Sequence, residues 1–567
     1  MRALGRHGDG VMRAMLAGVA LAAAIGGQGV VWGQDSPTDS PATLAARLEA
    51  VMATKGFEHA HWGLLVVDAK SGKSVYERDA DQLFAPASVT KLFSTAAALA
   101  ELGADYRFHT PLARRGTIDK DGVLHGDLIL IASGDLCMGG RTGPDGSLVF
   151  QDDDHTYAGG NLYSKITAPD PLAGLDHLAR EAYAGGLREV TGDVVIDDRL
   201  FEAAPATGSG PRFVSPILIN DNVVDVIARP GSRAGDQGVV EIRPATTYVA
   251  VDAQVETTPA GSRPGLVVVP VAPRRFLVKG RLPVGSGPIV KIHEVDDPPS
   301  FARALLIEAL RRRGVRVVAS PLAANHRTGL PERADALKLP KVAEYVSPPF
   351  RENLRVILKV SHNLHASTLP LLLAAKHDEH TLSQGLRRQG AILARLGVAP
   401  GTASFAGGAG GARADMATPR AAVTLLHAMA ARPDASAYET ALPILGRDGT
   451  LAKAVPSDSP ARGHAHAKTG TFFVENELDG KIVLTSKALA GYLETASGRN
   501  LVVAAFINNV ELDAPTPQRS VSQATAQAGR LLGRICEVLY DDAHQPPSQT
   551  ATPAQAKPAP ATAPTGR

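Results

Sequence analysis

The chain has 567 residues, 44% of them hydrophobic and 20% charged, with a net charge of +2. That length accommodates two to four domains of ~100–200 residues each, and that composition belongs to globular domains with sizeable cores. The near-neutral charge and the lack of a long basic run exclude nucleic acid and strongly anionic surfaces as partners.

At the N-terminus, Arg2, Arg6 and Arg13 precede an apolar stretch over 14–25, and mostly small and polar residues follow over 26–34. This is the pattern of a cleaved export signal, assigned to 1–33, and it places the protein in the periplasm, soluble or loosely envelope-associated. The stretch is shorter than the ~20 residues of a membrane span, so no stable transmembrane anchor is expected. A Ser/Pro/Thr linker over 34–41 leads into a helix over 42–54, a strand over 61–67, a turn at 69–72 and a return strand over 74–77. A strong helix is predicted over 86–102, with Pro86 in its first turn and Gly103 as terminator. From about 108 the texture becomes strand-rich, with candidates at 126–132, 189–196, 239–242, 248–255, 266–271 and 289–295. A helix at 300–313 and a strand at 315–318 lead out of it. From about 342 helices return, ending in an apolar strand at 501–508 and a terminal helix near 522–539. The Pro/Ala/Thr-rich tail, 544–567, lacks apolar side chains to bury. Cys137 and Cys536 stand outside any CxxC or metal-ligand spacing, and buried free thiols are the expectation.

Three short motifs carry chemistry. Ser88 and Lys91 are spaced i, i+3 at the start of the strong helix, so the amine shares a face with the hydroxyl and can take its proton. They form the sole S-x-x-K of the chain. Ser361-His362-Asn363 offers a serine that can relay a proton between two lysine amines and an amide that can hold a carbonyl or orient lysine. Lys468-Thr469-Gly470-Thr471 reads as a strand edge. Lys468 brings charge and Thr469 a hydroxyl for a carboxylate. Gly470 allows close backbone approach, and the Thr471 N–H can join the Ser88 N–H as an oxyanion hole. Each is weak alone; their order, SxxK, SxN, KTG, is the signature of penicillin-binding proteins and serine β-lactamases.

The long gap between the first two motifs resembles the D-Ala-D-Ala carboxypeptidase/D-Ala-D-Ala endopeptidase family, the class C low-molecular-mass penicillin-binding proteins. So do Ser133-Gly134-Asp135, the stretches 192–198 and 218–225, Asp448-Gly449-Thr450-Leu451 and Leu489-Ala490-Gly491-Tyr492. The resemblance spans about 44–539. It implies an α/β (α+β) protein: a transpeptidase domain of the penicillin-binding/serine β-lactamase type, its sheet flanked by helices, over 42–107 and 340–543. A β-rich insertion of one or two domains over 108–339 interrupts it, with a smaller domain nested near 215–300. It further implies a serine DD-peptidase acting on peptidoglycan peptide stems, inhibited by β-lactams. Ser88, Lys91, Ser361, Asn363 and Lys468 would be catalytic, with Thr469, Gly470 and Thr471 for substrate and oxyanion.

The chain departs from the family where D-G-S-G would precede Thr418-Pro419-Arg420. It reads Gly407-Gly408-Ala409-Gly410, losing a carboxylate and a hydroxyl. Leu136 replaces a proline, and 137–165 and 471–489 are lengthened. Two alternative readings follow: a catalytically impaired peptidoglycan-binding relative, or a β-lactamase or esterase with the same machinery. No cofactor or metal is expected. His59/His61, His362/His365, His464/His466 and Asp152–Asp154 fit no metal-site pattern and read as solvated faces and loops.

Overall fold

A computed structural model of the chain describes residues 43–160, 162, 164–512 and 521–541. The signal and tail expected from sequence lie outside the described residues, as does the linker. Everything below belongs to the unit that begins at Leu44.

The strand His61–Asp68 has six consecutive buried residues, Trp62 to Val67, which is what a strand covered on both faces requires. It pairs antiparallel with Ser74–Arg78 on one side and Asn500–Asn508 on the other. Beyond these come Ile482–Glu494 and the edge strand Ala465–Glu475, also antiparallel. Alternation sorts the side chains. Leu65 and Val67 join one core with Leu92, Phe93, Ala96 and Leu99. Leu64 and Val66 join another with Leu48, Val51, Met52, Leu532 and Ile535. The terminal helices Leu44–Met52 and Val521–Asp541 thus cover one face, and the helix Thr90–Leu102 covers the other.

That helix is buried all round from Thr90 to Leu99, the mark of a core helix rather than an amphipathic surface one. It is enclosed by Phe350–Lys359, Asn363–Ala375 and Pro419–Ala430, whose apolar residues share its core. A 3₁₀ turn, Ala87–Val89, precedes it, and Gly103 ends it at φ 85.

The stretch between these helices carries its own sheets. His109–Ile118 and Val123–Ile131 form a hairpin that Lys341–Val346 extends, so this last strand pairs within the insertion's sheet. Val194–Asp197 adds to the hairpin in parallel. Two three-stranded sheets lie between: Val239–Arg243, Val223–Arg229 and Ile289–Glu294, then Ala250–Thr258, Arg275–Pro283 and Gly265–Ala272. One core, including Leu128, Ile196, Val226, Phe276, Phe301 and Leu305, joins all three to the helix Pro298–Arg313. The strand candidates of the sequence fall on strands, except that 189–196 is two, Glu189–Val190 and Val194–Asp197; His109–Ile118, Val223–Arg229, Arg275–Pro283 and the helix Ala173–Ala184 are not among the expected elements. Both cysteines are buried and unpaired.

Candidate active site

The 3₁₀ turn places Ser88 at the mouth of a groove, with Ala87 held in the left-handed region at φ 46, a strained geometry for a residue with a Cβ. One turn on, Lys91 is fully buried. Its Nζ lies 2.8 Å from Ser88 Oγ, 2.7 Å from Asn363 Oδ1 and 2.7 Å from the Ala409 carbonyl oxygen. Burial, reinforced by the charge of Lys468, pulls this amine well below the ordinary lysine range, while Asp415 opposes the shift. A neutral amine has two N–H bonds and one lone pair. Asn363 Oδ1 and Ala409 O can only accept, so they take the two hydrogens and the lone pair is left facing the Ser88 hydroxyl.

Ala409 belongs to the glycine-rich loop that departs from the family pattern. A Cβ at Gly408 would collide with the Ala366 carbonyl, and one at Gly410 (φ 85) with the Ala87 carbonyl. The loop therefore presses its backbone against the Ala87–Val89 turn. A carboxylate is present after all: buried Asp415 accepts from Ala406 N–H at 2.8 Å and Ala412 N–H at 2.9 Å, closing the loop. Sequence reasoning missed it because it follows the loop instead of lying within it.

On the opposite wall, a Cβ at Gly470 would collide with the Pro86 carbonyl and sit 3.2 Å from Ser88 N. Glycine here is what lets the edge strand close on the turn. Lys468 is fully buried, its amine drawn down to about 7 by burial and then by Lys487. Its Nζ donates to the Thr469 carbonyl at 2.8 Å, and the Thr469 hydroxyl donates to Thr450 Oγ1 at 2.6 Å. Thr450 follows Asp448, which a buried Lys359 holds at 2.7 Å.

The Ser361-His362-Asn363 turn completes the groove. Ser361 sits at φ 64, and among the described residues its hydroxyl has no hydrogen bond to either lysine, so the expected relay is not preformed. One side chain of the insertion holds both flanks of the turn: Tyr157 Oη donates to the Ser361 carbonyl at 2.7 Å and accepts from Asn363 N–H at 3.1 Å. Asn363 Nδ2 donates to the Ser209 carbonyl at 2.9 Å, which fixes the amide with its oxygen toward Lys91.

The expectation that Asp154, His362 and His365 lie on solvated faces is wrong. They are buried in one network with Arg141, His155, Asp221 and Asp225. Arg141 donates to Asp154 at 2.7 and 3.0 Å and to Asp221 at 2.7 Å. Asp221 accepts from His365 Nε2 at 2.6 Å, and His155 bridges Asp221 and Asp225 at 3.0 and 2.6 Å. Burial opposes charge on His155, yet Asp225 and Asp221 raise it to about 10. Burial and His362 lower His365 to about 4. Asn220, Asp221 and Asn222 are successive left-handed residues at φ 51, 53 and 56. Asn and Asp tolerate this conformation best, which explains the sequence. Asp221, His362 and His365 lie close enough to share a cation. The Arg141 guanidinium already supplies that positive charge. The cause of the mistaken expectation is pairing between distant segments, which local polarity does not reveal.

A serine paired with a buried lysine at the foot of an all-buried helix, facing a KTG edge strand, defines the class: penicillin-binding and serine β-lactamase-like enzymes. The profile of the D-Ala-D-Ala carboxypeptidase 3 (S13) family matches residues 44–528, and the chain belongs to that family. It is a serine peptidase of the DD-peptidase kind. It is 28% identical over 471 residues to a D-alanyl-D-alanine carboxypeptidase of Actinomadura sp. (strain R39), covering 77% of this chain and 78% of the relative. To the D-alanyl-D-alanine carboxypeptidase DacB of Haemophilus influenzae it is 25% identical over 471 residues, covering 80% and 86%. The crystal structure of penicillin-binding protein 4 (dacB) from Haemophilus influenzae superposes with a TM-score of 0.64 at 20% identity, over 87% of this chain and 99% of that one.

Proposed function

We propose that the chain cleaves D-Ala-D-Ala ends and D-Ala-meso-diaminopimelate cross-links of peptidoglycan through an acyl-enzyme on Ser88. The observation that carries this is the Lys91 amine, whose two acceptors aim its lone pair at Ser88 Oγ. Lys91 removes the Ser88 proton as Oγ attacks the penultimate D-Ala carbonyl. The Ser88 and Thr471 N–H groups stabilise the oxygen that gains charge. In this reading the Ser361 hydroxyl, bonded to neither lysine in the free groove, carries the proton taken by Lys91 to the leaving nitrogen. Water then attacks the ester, with Lys91 again as base, and frees Ser88.

Half-buried Asp152, whose Oδ1 accepts from Gly449 N–H at 3.0 Å, lines the groove with Asp153. Two carboxylates there suit the free ammonium of the diaminopimelate side chain on the acyl side of the cut, which monomeric and cross-linked stems share. The closed 406–415 loop argues against the impaired, binding-only reading. β-Lactams, which acylate this machinery in place of the peptide, are the expected inhibitors; one structure of the Haemophilus protein is a complex with a β-lactam. Residues 43–107 and, since Lys341–Val346 pairs with His109–Ile118, the described residues from 347 to 541 form the peptidase domain in this reading. The chain acts outside the cytoplasm after export; among the described residues no helix is long and apolar enough to cross a membrane.

Product analysis on purified muropeptides tests the reading. D-Ala release from pentapeptide monomers and conversion of cross-linked dimers to monomers are expected, both lost in Ser88→Ala. Turnover of simple esters or β-lactams with neither muropeptide product would overturn it.

A further inference from the structure

Far along the chain from every signature motif, the sheet of Ala250–Thr258, Arg275–Pro283 and Gly265–Ala272 turns one face to the core of the inserted segment. Leu266, Phe276 and Val278 point into that core. The period of two sends Val267, Val269 and Val271 the other way, and they are 53%, 43% and 51% exposed. Val267 lies opposite Lys279 and Val269 opposite Leu277. A valine stripe on the edge strand therefore runs beside a column made by Arg275, Leu277, Lys279 and Arg281. One exposed valine is ordinary; three aligned on one edge mark a surface that meets something.

That something is not another strand. Pro270 offers no N–H, and the ladder is irregular at 270–272, both devices that keep a second strand off an edge. The charge around the stripe narrows the choice further. No Asp or Glu occurs in 257–293, whereas Arg263, Arg274, Arg275, Lys279 and Arg281 all do. Arg275 is paired with Asp252 at 2.8 and 3.0 Å, and Arg274 donates to the Leu322 carbonyl at 2.9 Å. Arg263, Lys279 and Arg281 are exposed, and among the described residues none has a carboxylate within ion-pairing distance. Glu256 is opposite Arg281 in the ladder, yet the two form no ion pair.

A soluble anion would satisfy these cations and leave the valines in water. An uncharged apolar partner would cover the valines and leave the cations unmatched. A bilayer containing anionic phospholipid answers both, with acyl chains for the stripe and phosphates for the cations. We propose that this face docks the protein on an anionic membrane surface, Val267, Val269 and Val271 entering the headgroup layer and Arg263, Lys279 and Arg281 meeting phosphates. The contact is peripheral and needs no spanning helix. It is independent of the chemistry at Ser88.

Co-sedimentation with lipid vesicles tests it, using phosphatidylcholine and phosphatidylglycerol in equal parts against phosphatidylcholine alone. The chain should partition at least about tenfold more strongly onto the anionic vesicles, and added salt should weaken the binding. Lys279→Glu with Arg281→Glu should lower that partitioning by at least about tenfold. Val267→Thr, Val269→Thr and Val271→Thr together keep the charges and the β-branched shape, and should also cost about tenfold. All three chains differ only on this face, so residues elsewhere contribute equally to each. The replaced side chains are exposed, and thermal unfolding should show midpoints within about 3 °C of one another. Equal partitioning of the three chains, or no preference for the anionic vesicles, would overturn the proposal. Retention on purified peptidoglycan without vesicle binding would overturn it too, and would give the face to a glycopeptide instead.

Discussion

At the nucleophile, the decisive quantity is the direction of one lone pair. Lys91→Ala removes the proposed base and should slow penicillin acylation by about 10²–10⁴-fold. Asn363→Ala removes only one of the acceptors that aim the amine and should cost less, in the range of about 10–100-fold. Stopped-flow acylation rates separate the two, and equal losses would deny the orienting role. The pH dependence follows from the same groups. Lys91 acts unprotonated, so acylation should fall as pH drops through its depressed pKa. Lys468, cationic below about 7, is one cause of that depression. In Lys468→Met the neighbouring charge is gone, the Lys91 amine gains protons more readily, and the acid limb should move to higher pH. A limb that stays in place in Lys468→Met would mean that the two amines do not sense each other.

Among the elements, the SxN turn is held both by its own helices, through His362 N–H on the Ile357 carbonyl, and by the segment between 108 and 339. Tyr157 and the Arg141 network reach it from the inserted segment and fix Ser361 in a left-handed conformation. Tyr157→Phe keeps the ring and loses the hydroxyl that bridges Ser361 and Asn363. It should slow acylation by about tenfold and destabilise the fold by about 1–3 kcal/mol. A variant destabilised to that extent but acylated at the normal rate would reduce Tyr157 to packing. Arg141→Met should cost more, about 3–5 kcal/mol, because Asp154 and Asp221 would remain buried and charged; urea denaturation reads this as a lower midpoint. Local periodicity made the sheet strands and the nucleophile helix legible, and i, i+3 spacing exposed Ser88 and Lys91. The network was illegible because Arg141, Asp154, Asp221 and His365 meet only after distant segments pack. Asp154-His155 in a stretch of aspartates looks like any solvated loop. Asp415 was hidden for a related reason, since a carboxylate can enter the same space from the other end of the loop.

For the whole molecule, strands within 61–78 and 465–512 build one sheet, and the long middle segment, part of it packed on a second core and part on the core of the helix Thr90–Leu102, contributes Tyr157, Ser209 and Asp152 to the groove. The three motifs therefore become a site only when both parts are in place. In the proposed reaction Ser88, and no other residue, receives the acyl group. Intact-mass spectrometry of the purified chain with benzylpenicillin, followed by peptide mapping, tests it directly. A single stoichiometric adduct is expected on the peptide containing Ser88, and none in Ser88→Ala. An adduct that persists in Ser88→Ala, or its absence from the unmodified chain, would contradict it.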